Sequence, residues 1–485
     1  MFDMTALELS AAIKEKKFSV SEVVSAYIDA IEKKDKQLNA FITVSKEKAL
    51  LRAKEIQSLI ESGDSISPLA GVPIALKDNI STMGIETTCA SKMLQGYTPV
   101  FNATVVEKLE SAGMIVIGKT NMDEFAMGVS GETSIFSAAL NPWDVSHVSG
   151  GSSGGSAAAA AADLAPLSLG SDTGGSIRLP CSFCGVTGIK PSYGAVSRHG
   201  LVAHASSLDQ IGPIGRNIND CAALLSIISG QDGRDGTCVI EKPFKFDTAF
   251  HEKLDGVKIG IPRNYFDSVT YEDVKHAVLA AADEFKAAGA SLEEFEMPFM
   301  DNALSVYNII SCAEASSNLS KFDGLKYGYR SADAKTLSEV YRLSRSEGFG
   351  FDVKKKIMFG SFVLSSEYYN SYFKKALQAR ALIKDAYNKL FERFDIILSP
   401  VTPVKAFLLG EYKSDPEKTR KADVFTAPVN LAGLPAVSLP CGFDKQGLPI
   451  GFQLIGKAFY DDKLVETARL YQNRTDHHTK TGSAS

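Results

Sequence analysis

Hydrophobic and polar positions divide this chain into two textures. In residues 5–16 the apolar positions recur at helical spacing, and Ser19-Val20-Ser21-Glu22 has the form of a capping box opening a second helix to about residue 34. Residues 40–44 read as a short strand, and residues 46–61, rich in helix formers, as a third helix. From Gly71 onward the apolar residues fall instead in short continuous runs. Gly71-Val72-Pro73-Ile74-Ala75-Leu76 ends on Lys77-Asp78-Asn79, and Met114-Ile115-Val116-Ile117-Gly118 ends on Lys119-Thr120-Asn121, with residues 105–112 helical between them. Runs at 166–170, 257–262, 395–399, 436–439 and 450–455 continue the series. Strands without polar alternation are buried on both faces. The pattern therefore predicts an α/β chain whose sheet is covered on both sides by helices.

Residues 237–345 are more charged and more helical, with one clear helix at 271–288, and read as an excursion packed on the core. A long helix is expected from about 367 to 392, and residues 473–485 form a polar tail expected to fray. With no linker-like tract, internal repeat or heptad run, residues 1–472 are expected to form a single domain, its core at about 65–220.

Composition narrows the class. Apolar residues make up 45% of the 485 and charged residues 22%, as in a globular enzyme with a sizeable core. The net charge of −5 argues against this chain alone gripping nucleic acid strongly, which leaves only a local basic patch open. Seven scattered cysteines, an odd number, read as reduced, buried thiols in a cytoplasmic protein. The start lacks a basic stretch followed by an apolar run, and no stretch of about 18 apolar residues occurs, so neither a signal peptide nor a membrane span is expected.

The chemistry concentrates in residues 150–184. Two Gly/Ser-rich loops, Gly150-Gly151-Ser152-Ser153-Gly154-Gly155-Ser156 and Asp172-Thr173-Gly174-Gly175-Ser176-Ile177-Arg178, flank an alanine helix and a short strand. Such loops turn tightly, gather backbone N–H groups and expose a hydroxyl. Ser176 is the first choice of nucleophile, with the amides around Thr173, Gly174 and Gly175 as an oxyanion hole. A phosphate cradle does not fit: Gly150 and Gly155 have P-loop spacing, but Ser156 and Ala157 stand where Lys and Ser/Thr are required. Cys181-x-x-Cys184 lacks both a second pair for zinc and a thioredoxin-like frame, and reads as two buried residues behind Ser176.

The base is the harder assignment. Of the seven histidines, His147 and His204 lie in polar loops and are candidates, but no Gly-x-Ser-x-Gly elbow accompanies them. A neutral lysine can serve instead, if burial lowers its pKa by about 3 units from its reference value near 10.4. Lys77 and Lys119, each at the end of a buried strand, both meet that condition.

Residues 71–78 together with residues 150–184 resemble the amidase signature family. That resemblance implies an amidase-signature fold, α/β with a central mixed β-sheet, and a triad of Lys77, a bridging Ser152 in cis configuration and nucleophilic Ser176. Met122-Asp123-Glu124-Phe125-Ala126-Met127-Gly128, Phe322-Asp323-Gly324, Tyr327-Gly328-Tyr329-Arg330 and Pro428-Val429-Asn430-Leu431-Ala432-Gly433 narrow it to the glutaminase subunits of tRNA-dependent amidotransferases. This branch implies release of ammonia from glutamine and its use by a partner, the B subunit, with ATP and Mg²⁺, on glutamyl-tRNA. A small C subunit joins the assembly to make a heterotrimer, and tRNA is contacted mainly through the partner. No metal or other cofactor is expected in this chain. The resemblance points to Ser130, Tyr307, Lys356 and Asp423 as substrate-binding residues, Asp423 for the α-amino group. Lys354-Lys355-Lys356-Ile357 stands where the family commonly has K-R-R-I, so the α-carboxylate meets a lysine in place of arginine's bidentate fork. The rival readings are a stand-alone amidase of small or fatty amides and a catalytically silent scaffold.

Overall fold

The computed structural model describes residues 1–62, 67–240, 242–247, 252–415, 419 and 421–482. His251 and residues 483–485 of the expected tail lie outside the described residues. The strands are β1 (Phe41–Val44), β2 (Pro73–Lys77), β3 (Ile115–Thr120), β4 (Leu140–Asn141), β5 (Asp144–Val148), β6 (Leu167–Asp172), β7 (Thr187–Lys190), β8 (Gln210–Gly215), β9 (Lys258–Pro262), β10 (Ser291–Phe295), β11 (Ile396–Pro400), β12 (Ala436–Phe443) and β13 (Pro449–Gly456). Eleven of them form one mixed sheet in the order β1-β3-β2-β6-β8-β7-β12-β13-β11-β9-β10, and β4 and β5 form a separate ribbon. Five helices frame the site: α1 (Gly154–Ala161), α2 (Arg178–Cys184), α3 (Met300–Asn318), α4 (Phe351–Leu364) and α5 (Ala427–Ala432).

Successive side chains of a strand point to opposite faces, and β2 shows what that does here. Ile74 and Leu76 join one hydrophobic core, with Leu109, Leu224 and Ile228 of the helices Thr104–Ser111 and Ile218–Ile228. Ala75 joins the opposite core, with Ile115, Ile117, Ala158 and the N-terminal helices. All of β2 is buried. The continuous apolar run is thus the imprint of two cores, and Lys77, two residues beyond Ala75, lies on the face of α1.

β2 and β6 are parallel neighbours, with Ile74 opposite Leu167 and Leu76 opposite Leu169. Their C-terminal ends, Lys77 and Ser171-Asp172, therefore emerge side by side, where open α/β sheets carry their ligands. The all-small sequence of α1 lets it lie flush on these strands: Ser156 bonds Thr120 across its hydroxyl at 2.7 Å and donates to the Leu169 carbonyl at 3.0 Å. A methyl on Gly155 would drive into the backbone of Ala40 and Asn121.

Most predicted elements are present, including the Ser19/Glu22 capping box. Some boundaries differ. The helix expected from about 367 begins at Phe373, because Ser365–Tyr372 turns and tucks Tyr368 against Phe362 at the end of α4. In the tail, the Gly482 N–H donates to the Ala161 carbonyl at 3.1 Å and Gly482 is buried, so the chain is docked beyond Asn473 where fraying was expected. β8 went unread because Gly212, Pro213 and Gly215 disguise a central strand as a turn.

Gly155→Ala should cost about 1–3 kcal/mol of stability by overpacking between α1 and the β1–β3 edge. Urea denaturation checks this as a lowered midpoint with an unchanged slope.

Candidate active site

Lys77 is wholly buried at the end of β2. Its Nζ lies 2.7 Å from Ser152 Oγ, 2.8 Å from Ser153 Oγ, 2.9 Å from Ser171 Oγ and 3.2 Å from the Ser171 carbonyl. Burial strips water from the ammonium and brings the Lys77 pKa down to about 7, against the negative charges of Asp123, Asp172 and Asp209, which favour the protonated form. Three hydroxyls suit either state, since each can donate to the amine or accept from the ammonium. Ser152 follows a cis Gly151–Ser152 bond, and Asp123 and the Ser130 amide crowd the Cα of Gly151.

The Ser176 loop is built around a buried ion pair. Arg178 grips Asp172 with two bonds of 3.1 Å, from Nε to Oδ2 and from Nη2 to Oδ1, while its other N–H groups donate to Gln453, Asn430 and the Thr426 carbonyl. Burial by itself would raise the Asp172 pKa, but the Arg178 charge and these hydrogen bonds hold it well below the usual carboxylate range. Asp172 Oδ1 also accepts the Gly175 N–H at 2.8 Å, and Oδ2 the Ile177 N–H at 3.1 Å, which curls residues 173–177 over the end of β6. The Ser153 N–H donates to the Ser176 carbonyl at 3.1 Å and ties the two loops together.

This corrects one oxyanion assignment. The Gly175 amide is engaged by Asp172. The amides of Thr173, Gly174 and Ser176 have no hydrogen-bond partner among the described residues, so the Ser176 amide is free where the Gly175 amide was expected to be. Gly175 keeps a different role: at φ +140° it takes a backbone conformation that disfavours a side chain, and a methyl there would strike Thr426 and Asp423. Among the described residues, no hydrogen bond joins the Ser152 and Ser176 hydroxyls; such contacts often tighten only when a ligand enters. Ser176 retains 6% exposure, whereas Ser152 has none.

Lys119 does not share this site. Its Nζ donates to the Ile80 carbonyl at 2.7 Å and to Thr87 Oγ1 at 2.8 Å, with Asp78 Oδ1 at 3.4 Å. It braces the loop after β2. Cys181 and Cys184 are buried free thiols on α2. His147 lies against Asp144 at 2.9 Å in the β4–β5 ribbon and is tied to neither serine. Among the described residues no group of three or more His, Cys, Asp or Glu side chains could hold a metal, and no helix is long and apolar enough to cross a membrane.

A cavity of about 470 Å³ beside the Ser176 loop is lined by Ala126, Tyr307, Cys312, Lys356 and Asp423, among others. Tyr307, on α3, stands directly over Gly174, and Asp423 faces Gly175. Asp423 Oδ1 has no hydrogen-bond partner, and burial, then the charge of Asp172, push its pKa up to about 7. Half-buried Lys356, on α4, makes no hydrogen bond or ion pair among the described residues. Ser130 is buried beside Gly151, its hydroxyl accepting the Glu132 N–H at 3.2 Å. One carboxyl and one ammonium, neither in an ion pair among the described residues, thus border a small cavity next to the Ser176 loop.

Sequence reading missed Ser153, Ser171, Asp123 and the Asp172–Arg178 clamp. Ser153 and Arg178 sit inside the quoted motifs, but nothing in a motif says which of several serines meets the lysine.

Comparison with known proteins agrees with this geometry. The family model described as Amidase matches residues 22–465. The chain is 54% identical over 473 residues to the A subunit of glutamyl-tRNA(Gln) amidotransferase of Lachnoclostridium phytofermentans, covering 96% of each chain. It is 52% identical to the protein of the same name from Agathobacter rectalis, covering 97% of this chain and 94% of the relative. The crystal structure of the glutamyl-tRNA(Gln) amidotransferase A subunit from Thermotoga maritima superposes with a TM-score of 0.82 at 39% identity, covering 100% of this chain and 98% of that one. A peptide amidase from Stenotrophomonas maltophilia superposes with a TM-score of 0.84 at 28% identity, covering 97% of each.

A lysine whose folded-state pKa lies near 7 and whose ordinary value is 10.5 binds fewer protons folded than unfolded between those limits. Its burial therefore destabilises the fold most at and below about pH 7, and progressively less as pH rises. Relative to Lys77→Met, the wild type should gain roughly 2 kcal/mol between about pH 7 and pH 9, measured by denaturant titration at the two pH values.

Proposed function

This chain belongs to the amidase family, and on that premise we propose that it is the glutamine-hydrolysing A subunit of a glutamyl-tRNA(Gln) amidotransferase. The observation that carries the catalytic assignment is the buried Lys77 amine within 2.7 Å of Ser152 Oγ. The near full-length identity to amidotransferase A subunits carries the substrate.

In this reading neutral Lys77 takes a proton from Ser152 as Ser152 takes one from Ser176. The Ser176 oxygen then attacks the side-chain amide carbon of glutamine. The developing oxyanion is met by the free amides of Thr173, Gly174 and Ser176, each such donor typically contributing about 3 kcal/mol. Collapse breaks the C–N bond, and the proton held by Lys77 returns through Ser152 to the departing ammonia. Water, deprotonated along the same path, then hydrolyses the glutamyl ester to glutamate and free Ser176. Asp123 and Asp172 keep the basicity of Lys77 from falling further. The opposed charges of Asp423 and Lys356 suit the α-amino and α-carboxylate groups of an amino acid. A fatty or simple amide would leave both unpaired, which weighs against a stand-alone amidase of such substrates.

We assign the ammonia to a partner B subunit, where ATP and Mg²⁺ would activate the glutamyl group on tRNA, with a small C subunit completing the assembly. A cytoplasmic location follows from the same reading.

Ser176→Ala and Lys77→Ala should each lower glutaminase turnover by at least about 10³-fold while circular dichroism shows a folded protein. Substantial turnover by Lys77→Ala near neutral pH overturns the base assignment. Lys77 must be neutral and Asp423 ionised, and both titrate at about 7. Activity is therefore lost on the acid side. A plot of log kcat/KM for glutamine against pH should approach a slope of two below about pH 6 and of one in Asp423→Asn, whose KM also rises.

A further inference from the structure

β6 and β8 run antiparallel, with Asp172 opposite Gln210. The residues just beyond that pair, Thr173 and Asp209, therefore leave the sheet side by side. Asp209 is buried, and the donors to its carboxylate are all neutral. The Thr173 hydroxyl meets Oδ1 at 2.7 Å, the His204 N–H meets Oδ2 at 2.9 Å, and the Ala205 N–H reaches both oxygens at 3.0 and 3.2 Å. The loop that carries Asp209 is itself clamped. Glu314 of α3 accepts the Ser207 N–H at 2.9 Å, Asn318 of α3 donates to the His204 carbonyl at 3.1 Å, and Arg380 donates to the Ser207 carbonyl at 2.8 Å.

The Thr173 amide is one of the three left free in the Ser176 loop. A buried N–H without a partner gains free energy by turning toward a nearby oxygen, so it stays free only where its peptide plane is held. The same planar unit carries the Asp172 carbonyl, which accepts Asn430 Nδ2 at 3.2 Å. One bond at that end lets the plane rock. The Thr173 hydroxyl, pinned by Asp209, fixes the other end. Thr426 holds a neighbouring peptide in the same way, its hydroxyl donating to the Gly174 carbonyl at 2.6 Å. Burying a carboxylate among neutral donors is costly, and what it secures here is the direction of one amide.

We propose that Asp209 is a positioning residue of the oxyanion hole, holding the Thr173 amide toward the developing oxyanion through the Thr173 hydroxyl. The inference rests on Ser176 attacking glutamine. Asp209 touches neither substrate nor reacting atom. Its influence falls on the transition state, because only there does the carbonyl oxygen carry the charge that the amide meets.

The test is steady-state kinetics of the assembled enzyme on glutamine. Thr173→Val keeps the branched shape and loses the hydroxyl. Removing an oxyanion donor costs about 10²- to 10³-fold in kcat; loosening one should cost about 10- to 100-fold, with KM changing less than about twofold. Thr173→Ser, which keeps the hydroxyl, should recover most of that loss. Asp209→Ala should lower kcat at least as far as Thr173→Val, and adding Thr173→Val to it should lower kcat by less than about threefold more, the tether being already gone. A boronic acid analogue of glutamine reads the hole directly: boron accepts the Ser176 oxygen, and a boronate oxygen sits where the oxyanion forms. Its affinity should fall in Thr173→Val by about the same factor as kcat, while that of glutamate changes less than about twofold. If Asp209→Ala does not fold, the Thr173→Val and Thr173→Ser pair and the boronate decide. A kcat for Thr173→Val within about twofold of wild type, equal losses of boronate and glutamate affinity, or additive losses in the double variant overturn the inference alone. A wild type that does not hydrolyse glutamine overturns the substrate reading and the inference with it.

Discussion

The site depends on a lysine held out of water. An ammonium transferred to a dry interior loses hydration that no set of neutral hydroxyls fully returns, so it sheds its proton near neutral pH. Lys77 reaches that condition because β2 is sealed on both faces and α1 closes over its end. The hydroxyls of Ser152, Ser153 and Ser171 then decide what the free amine does. They hold it against the loop at 150–153 and the end of β6 instead of leaving it unpaired. Lys119 makes the point by contrast: it is equally buried and its pKa is also lowered, but it faces a carbonyl, a threonine and Asp78, and it serves the fold.

A second constraint shapes the Ser176 loop. The Asp172–Arg178 pair is wholly buried, and such a pair is tolerated only when hydrogen bonds saturate both partners. Here the saturating donors include the amides of Gly175 and Ile177, so the structural ion pair and the curl that presents Ser176 are one arrangement. Asn430 of α5 completes it through Asp172 and Arg178 together. The Ser176 loop and the distant C-terminal helix are thereby fixed to each other, and Asp423 and Thr426, just before α5, are brought against Gly174 and Gly175.

The pocket follows from this docking. Helices α3 and α4 cross so closely that Gly360 meets the carbonyl of Cys312, and their shared edge carries Tyr307 and Lys356 toward the Ser176 loop. Opposed charges left unpaired in one cavity are unfavourable to an empty protein and favourable to a zwitterionic guest. In this respect Asp423 and Lys356 have the same physical character: each retains an unmet polar group where the surrounding fold could have supplied a partner.

Much of this was legible in the chain. Continuous apolar runs marked β2, β3 and β6, because burial on both faces erases polar alternation. The Gly/Ser loops brought Ser176 forward, because tight turns that expose a hydroxyl admit few other residues, while Ser152 was singled out among its neighbouring serines only by the family resemblance. The apolar pattern could not choose between Lys77 and Lys119, since both end buried strands; the family resemblance pointed to Lys77, and the parallel pairing of β2 with β6 is what brings it to Ser152. Nor could it assign the amides: that Gly175 is taken and Ser176 is free depends on the position of a carboxylate held by Arg178. Local sequence thus determined the elements and the chemical vocabulary, through periodicity and backbone preference. Tertiary structure decided which groups meet and which stay unpaired, because desolvation and hydrogen bonding across more than 250 residues act only once the sheet has closed.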